Sequence, residues 1–189
     1  DAISRFISPY IHSVDISEIA AEMPEITENF ITCAAPPDYQ AIQAGAGTTS
    51  GVHKRLAQAL QATDGFIYND DNQPIRIGSP KLTAVQEWVE TLNEPMILVG
   101  AWTETVNQLA EIFQDHWPAV LSGGTADPGK EIERFKSGHT RMLIVNAGYS
   151  KGMNLQKVCR LAGFVSISPK PDDLAQMKGR IARPGQKDG

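Results

Sequence analysis

Short apolar runs alternate with amphipathic segments from residue 79 onward, and this alternation restricts the fold more than any other feature of the chain. Four runs are mostly apolar and have the length of single strands: 95–99, 117–121, 141–145 and 162–167. Such runs are typical of parallel strands that are covered on both faces. Four further segments show apolar residues at helical spacing: 81–92, 103–113, 128–135 and 171–181. The pattern predicts an α/β fold in which helices flank a parallel sheet.

The predicted sheet also indicates where function should lie. Ligands of open α/β sheets bind at the carboxyl ends of the strands. Four loops are expected at that edge: 100–103, 122–127, 146–154 and 168–172.

Residues 1–78 lack the alternation, and we interpret them as a connector segment with helical character ahead of a C-terminal domain at 79–189. Within the connector we predict a strand at 29–33, helices from residue 36 and over 52–60, and a loop or small hairpin at 64–78. Ser79 and Pro80 supply an N-cap and a first-turn proline for the first helix of the domain.

The formal net charge of −5 hides an uneven distribution along the chain. Residues 1–129 hold 5 basic and 17 acidic side chains, whereas residues 130–189 hold 12 basic and 5 acidic ones. The basic C-terminal third is suited to the phosphates of a nucleotide or a nucleic acid. A solvated basic surface is the alternative interpretation.

Cysteine usage and hydropathy exclude other classes of protein. Cys33 and Cys159 form no C-x-x-C pair, which argues against a disulfide framework and against a zinc site. Apolar runs of about five residues are too short to span a bilayer. No signal peptide pattern opens the chain, and because it begins without Met we expect a piece of a longer protein.

Residues 124–130, GTADPGK, match the pattern G-x-x-x-x-G-K of a phosphate-binding P-loop, which could make the chain an autonomous NTPase. The next residue is Glu131 instead of the Ser or Thr that would hold Mg²⁺. Pro128 removes one of the N–H donors that such a loop needs, and no strand ends in the acidic residue of a second metal motif. We therefore favour a Gly-Gly turn followed by an Asp-Pro-Gly helix start.

The C-terminal residues Gln176, Gly179, Arg180 and Arg183 fall at spacings of three and four, so they share one face of the predicted helix. Two arginines and a glutamine on one face can bind a polyphosphate, because guanidinium groups bind phosphate in a bidentate way. A surface helix with solvated arginines is the alternative. Residues 146–156, NAGYSKGMNLQ, follow a strand and suit backbone contacts with phosphates, although a plain flexible loop fits them too.

These segments resemble a known family in order and in spacing. QMKGRIARPGQ at 176–186 is similar to motif VI of superfamily 2 helicases, Q-x-x-G-R-x-x-R-x-G-Q, and KGMNLQ at 151–156 looks like motif V. Residues 95–109 resemble motif IV, and 120–135 resemble the strand end and helix that follow it. The chain thus resembles the second RecA-like lobe of these enzymes, in particular the Swi/Snf-type DNA-translocating ATPases. Departures at 146–150 and 166–170 suggest a divergent bacterial or phage branch, and hence a cytoplasmic location.

The resemblance implies that ATP binds between this lobe and an absent first lobe of the same parent chain, which would hold Mg²⁺. Arg180 and Arg183 would act as arginine fingers and Gln176 would position the γ-phosphate, while Gly152, Asn154 and Gly179 would line the nucleotide cleft. The residues expected to grip the backbone of duplex DNA are Gly100, Thr103, Gly123, Gly124, Thr125 and Lys151, with Trp102 as a further candidate whose alternative is a place in the core. The isolated chain would then not hydrolyse ATP. A non-catalytic nucleotide- or nucleic-acid-binding α/β module remains the alternative.

Overall fold

A computed structural model describes residues 26–36, 52–149, 153–167 and 178 of the chain. Its regular elements in chain order are α1 (Val52–Thr63), β1 (Phe66–Tyr68), β2 (Pro74–Arg76), α2 (Pro80–Glu90), β3 (Met96–Gly100), α3 (Thr103–Ile112), β4 (Ala119–Leu121), α4 (Pro128–Lys136), β5 (Met142–Asn146) and β6 (Leu161–Phe164). Short 3-10 turns occupy Gln114–His116 and Ala147–Tyr149. Within these residues, no helix is long and apolar enough to cross a membrane.

The central sheet has four strands in the order β4-β5-β3-β6, and every neighbouring pair is parallel. Alternate residues of β3 point to opposite faces, as the pleat requires. Ile97 and Val99 pack with Phe135 of α4 in one buried cluster. Met96 and Leu98 pack in a second cluster with the apolar residues of α2 and α3. The predicted parallel sheet flanked by helices is confirmed.

Local sequence explains where α2 starts. The Ser79 side chain accepts a hydrogen bond from the Leu82 N–H, and Pro80 occupies the first turn, as predicted. The buried face of α2 consists of Leu82, Val85 and Val89. Its Trp88 packs closely on β6: a Cβ built on Gly163 would come within 2.7 Å of the indole. Gly163 therefore permits the close approach of α2 to β6.

Two of the predicted strands differ from the structure. Residues 26–36 have no regular secondary structure, so the strand predicted at 29–33 is wrong. Phe30 in that segment is 89% exposed, so its apolar side chain has no core to join. The strand predicted from residue 117 begins at Ala119, because Trp117 has a φ of 51°, which no strand residue adopts. The helices predicted from residue 36 and over 171–181 lie outside the described residues, apart from Lys178, which is helical.

Residues 64–78 form a hairpin, one of the two structures predicted for them, with β1 and β2 antiparallel. A half-buried ion pair joins it to the lobe: Asp64, fully buried, lies 2.6 Å from the amine of the partly exposed Lys81 of α2. Asp64 also accepts a 2.6 Å hydrogen bond from the Thr105 hydroxyl of α3. On β2, Arg76 pairs with Glu104 and Glu111 of α3. Polar contacts on α2 and α3 thus attach the hairpin to the lobe.

Candidate functional site

The carboxyl edge of the sheet brings two groups of predicted DNA-contact residues together. Gly100, Trp102 and Thr103 follow β3, and Gly123, Gly124 and Thr125 follow β4. β5 lies between these strands, so the two loops are about 10 Å apart across the edge. Asn154 is described and exposed. The other predicted site residues lie outside the described residues: Lys151, Gly152, Gln176, Gly179, Arg180 and Arg183.

The first of these loops leads into a helix whose N-terminus has no side-chain cap. Trp102 is the N-cap residue of α3 in an extended conformation, with φ −118° and ψ 147°, and its side chain makes no capping hydrogen bond. The first intrahelical bond runs from the Val106 N–H to the Trp102 carbonyl. The N–H groups of residues 103–105 therefore lack helical acceptors and point away from the helix. Thr103 is exposed whereas Glu104 and Thr105 are buried, so the Thr103 N–H is the donor of this turn that lies at the surface.

The only acidic residue in the first turn of α3 is Glu104, and its charge is already paired. Its carboxylate accepts a 2.7 Å hydrogen bond from Arg76 Nε and a 3.3 Å one from Asn107 Nδ2. Arg76 also binds Glu111, and these bonds to Glu111 and Glu104 raise the pKa of the guanidinium, which stays charged. The open end of α3 thus keeps the partial positive charge of a helix N-terminus, which favours anions.

Gly100 places the loop close against α3. A Cβ built on this buried residue would lie 3.2 Å from side-chain atoms of both Thr105 and Val106. The glycine therefore lets the strand end and the first turn of the helix touch. The neighbouring Trp102 side chain is half-buried, and its indole N–H has no hydrogen-bond partner among the residues that the structure describes.

The second loop differs in how its polar groups are used. The Thr125 hydroxyl donates to the Val120 carbonyl at 3.0 Å and accepts from the Ser122 N–H at 2.8 Å. The hydroxyl proton of Thr125 is therefore used in a hydrogen bond within the loop and is not free to bind a ligand. Gly123 and Gly124 are exposed, and within the described part of the chain no hydrogen bond uses their N–H groups. The backbone of the two glycines, more than the Thr125 side chain, is what this loop offers to a ligand.

The helix that follows this loop has a closed N-terminus. Asp127 is the N-cap of α4 and accepts a 3.0 Å hydrogen bond from the Lys130 N–H. Pro128 provides no donor, and Glu131 accepts from the Val120 N–H and from Arg134. A phosphate in this position would meet two carboxylates and few free donors. The geometry is that of the predicted Gly-Gly turn and Asp-Pro-Gly helix start, and it disfavours a P-loop.

Two side chains that we did not predict as site residues fix the loop after β3. Ser166 Oγ, from the segment after β6, accepts a 2.7 Å hydrogen bond from the Ala101 N–H. Asn146, the last residue of β5, donates through Nδ2 to the Ala101 carbonyl at 3.4 Å. The available signal was that both are polar residues directly after apolar runs, at the edge where ligands bind.

Reactive groups are scarce among the described residues, and the buried Cys159 lies at the opposite edge of the sheet, just ahead of β6. Burial raises the pKa of the Cys159 thiol to about 12, so this cysteine stays protonated and unreactive near neutral pH. Its sulfur is hydrogen-bonded to the carbonyls of Pro95 and Leu161. Over the described residues, no group of three or more His, Cys, Asp or Glu side chains could hold a metal ion. The described edge offers backbone donors for phosphate groups.

No family model and no curated protein sequence matches this chain. Among solved structures, it is similar to the C-terminal part of the Fun30 ATPase domain, with a TM-score of 0.53 and 17% identity over 80% of this chain and 47% of that one. It is also similar to the Hef helicase domain of Pyrococcus furiosus, with a TM-score of 0.44 and 17% identity over 75% of this chain and 30% of that one.

The likeness to the Fun30 structure shows the fold: the chain is a RecA-like α/β lobe, with a parallel sheet flanked by helices, like the C-terminal part of that ATPase domain. The chain spans less than half the length of either matched structure.

Proposed function

We propose that this chain is the C-terminal motor lobe of an ATP-dependent DNA helicase or translocase of the Swi/Snf type. The observation that carries the proposal is the uncapped N-terminus of α3, which lies at the carboxyl edge of a RecA-like sheet beside the exposed Gly123 and Gly124. Both features present backbone N–H groups. Such donors bind phosphates without reading bases, which suits a motor that moves along any sequence.

On the nucleotide side, the proposal assigns ATP to a cleft shared with a first RecA-like lobe. The residues of this chain that would face it are Gln176, Arg180 and Arg183, with Gly152, Asn154 and Gly179 beside them. The closed N-terminus of α4 supports a shared site, because Asp127 and Glu131 would repel a triphosphate held by this lobe alone. When bound, ATP with its Mg²⁺ would supply the energy of phosphoanhydride cleavage, and the first lobe would hold the metal.

The resemblance to superfamily 2 helicases supports a role for each of these side chains. Arg180 and Arg183 would stabilise negative charge on the γ-phosphate as arginine fingers, a contribution of about 10³–10⁵ in rate in comparable enzymes. Gln176 would position that phosphate. For DNA binding, the proposal assigns the backbone contacts to Thr103 and the glycines after β4. Lys151 would add a positive charge there.

The decisive test is substitution of a proposed finger in the protein that joins this chain to its first lobe. We expect Arg183→Ala to abolish DNA-stimulated ATP hydrolysis and to leave ATP binding largely intact, measured by steady-state turnover and by equilibrium titration. The matched control is Arg160→Ala, which removes an exposed arginine that pairs with Glu94 ahead of β6. Unchanged turnover in Arg183→Ala contradicts the assignment.

The isolated chain provides a second test. We expect it to bind duplex DNA weakly, with an affinity that falls as salt rises, and to hydrolyse no ATP. Turnover by the pure chain that disappears in Lys130→Ala would instead support the autonomous NTPase. DNA binding without any partner lobe encoded in the parent gene would support the non-catalytic module.

A further inference from the structure

The peptide groups of Ala101 are held from two sides. The Ser166 hydroxyl accepts from the Ala101 N–H at 2.7 Å, and the Asn146 amide donates to the Ala101 carbonyl at 3.4 Å. Ser166 is buried, so its bond with Ala101 is shielded from water. Asn146 also accepts a 3.0 Å bond from the Gly148 N–H, which fixes the orientation of its amide.

These two side chains come from the strands on either side of β3. The sheet order places β5 on one side of β3 and β6 on the other. Asn146 is the last residue of β5, and Ser166 lies two residues beyond the end of β6. Residues 147–154 follow the first and residues from 168 follow the second. The loop after β3 is therefore tied to the starting points of both segments that the proposed function assigns to ATP.

The loop in turn is joined firmly to the first turn of α3. Gly100 packs against Thr105 and Val106, and the Thr105 hydroxyl is anchored to the buried Asp64. Trp102, the residue after Ala101, supplies the carbonyl that begins the helix. We therefore expect a displacement of the Ala101 peptide to displace the open end of α3, because Trp102 alone lies between Ala101 and the first helical residue, Thr103.

We propose that Asn146 and Ser166 are positioning residues that couple the two nucleotide-facing segments to the DNA-facing N-terminus of α3. The inference rests on the proposed function. Neither side chain touches DNA or ATP in this scheme. Each holds one side of the Ala101 peptide, so a change in either segment alters the orientation of the phosphate-binding donors.

The test uses the two-lobed protein and the variant Ser166→Ala. We expect the ratio of DNA-stimulated to basal ATP hydrolysis to fall about fivefold, the effect of losing one buried hydrogen bond. Hydrogen exchange at the Ala101 amide should accelerate by a similar factor. Ser166→Thr keeps a hydroxyl and should restore both readouts. The matched control is Ser137→Ala. It removes a hydroxyl that donates to the carbonyls of Glu133 and Arg134 at the end of α4, away from Ala101.

Asn146→Asp provides an independent variant, because it removes the donor to the Ala101 carbonyl and keeps the acceptor for Gly148. We expect a loss of stimulation without loss of the melting transition. Unchanged stimulation in both variants, with Ala101 exchange accelerated, overturns the coupling and leaves the proposed function standing. A wild-type protein whose ATP hydrolysis does not respond to DNA overturns the proposed function itself.

Discussion

Helices α3 and α4 both begin at the carboxyl edge of the same sheet, but their first turns are chemically opposite. α3 begins with Trp102, which provides no side-chain cap, whereas α4 begins with Asp127, which caps the Lys130 N–H. The segment that looks most like a phosphate loop in sequence, 124–130, thus leads into the closed helix. Anion binding depends on which N–H groups are still free, and a pattern of glycines and lysine does not reveal that.

The missing side-chain cap lowers the stability of α3, and contacts with the rest of the lobe offset this loss. A helix without a Ser, Thr, Asp or Asn cap is typically about 1 kcal/mol less stable. α3 is held instead by side-chain bonds from the hairpin region: Asp64 binds Thr105 and Arg76 binds Glu104. Four substitutions would break or sharpen the contrast between the two helix ends.

The largest effect is expected for Asp64→Ala. The substitution leaves Lys81 without its buried partner and frees the Thr105 hydroxyl in the first turn of α3. Because Lys81 is partly exposed, the loss comes mainly from the hydrogen bonds of the buried carboxylate, and we expect about 1.5–3 kcal/mol, which chemical denaturation measures. Asp71→Ala, in the exposed turn of the hairpin, is the control. Equal stability of the two variants would mean that α3 does not depend on this anchor.

A charge at the open helix end should come next in effect. Thr103→Glu places a carboxylate beside the free N–H groups of α3, so it should stabilise the helix slightly and weaken duplex DNA binding by roughly tenfold at low salt. Gly129→Glu adds the same charge to the first turn of α4, where Asp127 already caps the Lys130 N–H, so we expect a smaller loss of affinity than in Thr103→Glu. Fluorescence anisotropy with labelled duplex measures both. Equal losses in the two variants would remove the distinction between the helix ends.

The cap of the closed helix should contribute less. Asp127→Ala removes the acceptor of the Lys130 N–H, and a lost N-cap costs about 1 kcal/mol in the free energy of unfolding. Asp115→Ala, at an exposed carboxylate, is the matched control. Identical unfolding curves for the Asp127 variant and the wild type would show that the cap is energetically silent.

The smallest effect is expected for Lys130→Ala. The side chain is exposed, and the helix start that it would need for nucleotide binding is occupied by Asp127. Nucleotide binding and stability should remain within measurement error, since exposed surface substitutions usually shift stability by less than about 0.5 kcal/mol. A clear loss of ATP affinity, followed by titration with a fluorescent analogue, would contradict the closed-helix interpretation.

Local chemistry explains which parts of the fold were predictable. Ser79 with Pro80 and Asp127 with Pro128 predict helix starts because each capping side chain accepts a hydrogen bond from the N–H three positions ahead. The strand predicted at 29–33 was wrong because a strand needs a partner elsewhere in the chain. The Arg76–Glu104 pair spans 28 residues, and no local pattern indicates it.

The candidate site follows the same division. The rule for parallel sheets correctly placed Gly100 and Gly123 at one edge. The use of the Thr125 hydroxyl inside its loop, and the bond between Ser166 and Ala101 across 65 residues, depend on tertiary packing. Sequence therefore predicts which loops face a ligand better than it predicts which of their donors remain free.

Because Trp88 packs closely on Gly163, its fluorescence can report on the contact between α2 and β6. Trp88 lies against the backbone of β6, whereas Trp117 is 76% exposed and should emit at long wavelength as in water. A separation of β6 from α2 would change the surroundings of Trp88 and leave those of Trp117 as they are. In a variant that carries both Trp102→Phe and Trp117→Phe, Trp88 is the remaining tryptophan, and the intrinsic fluorescence would thus follow the strand that leads into the segment with Arg180 and Arg183, without any attached dye.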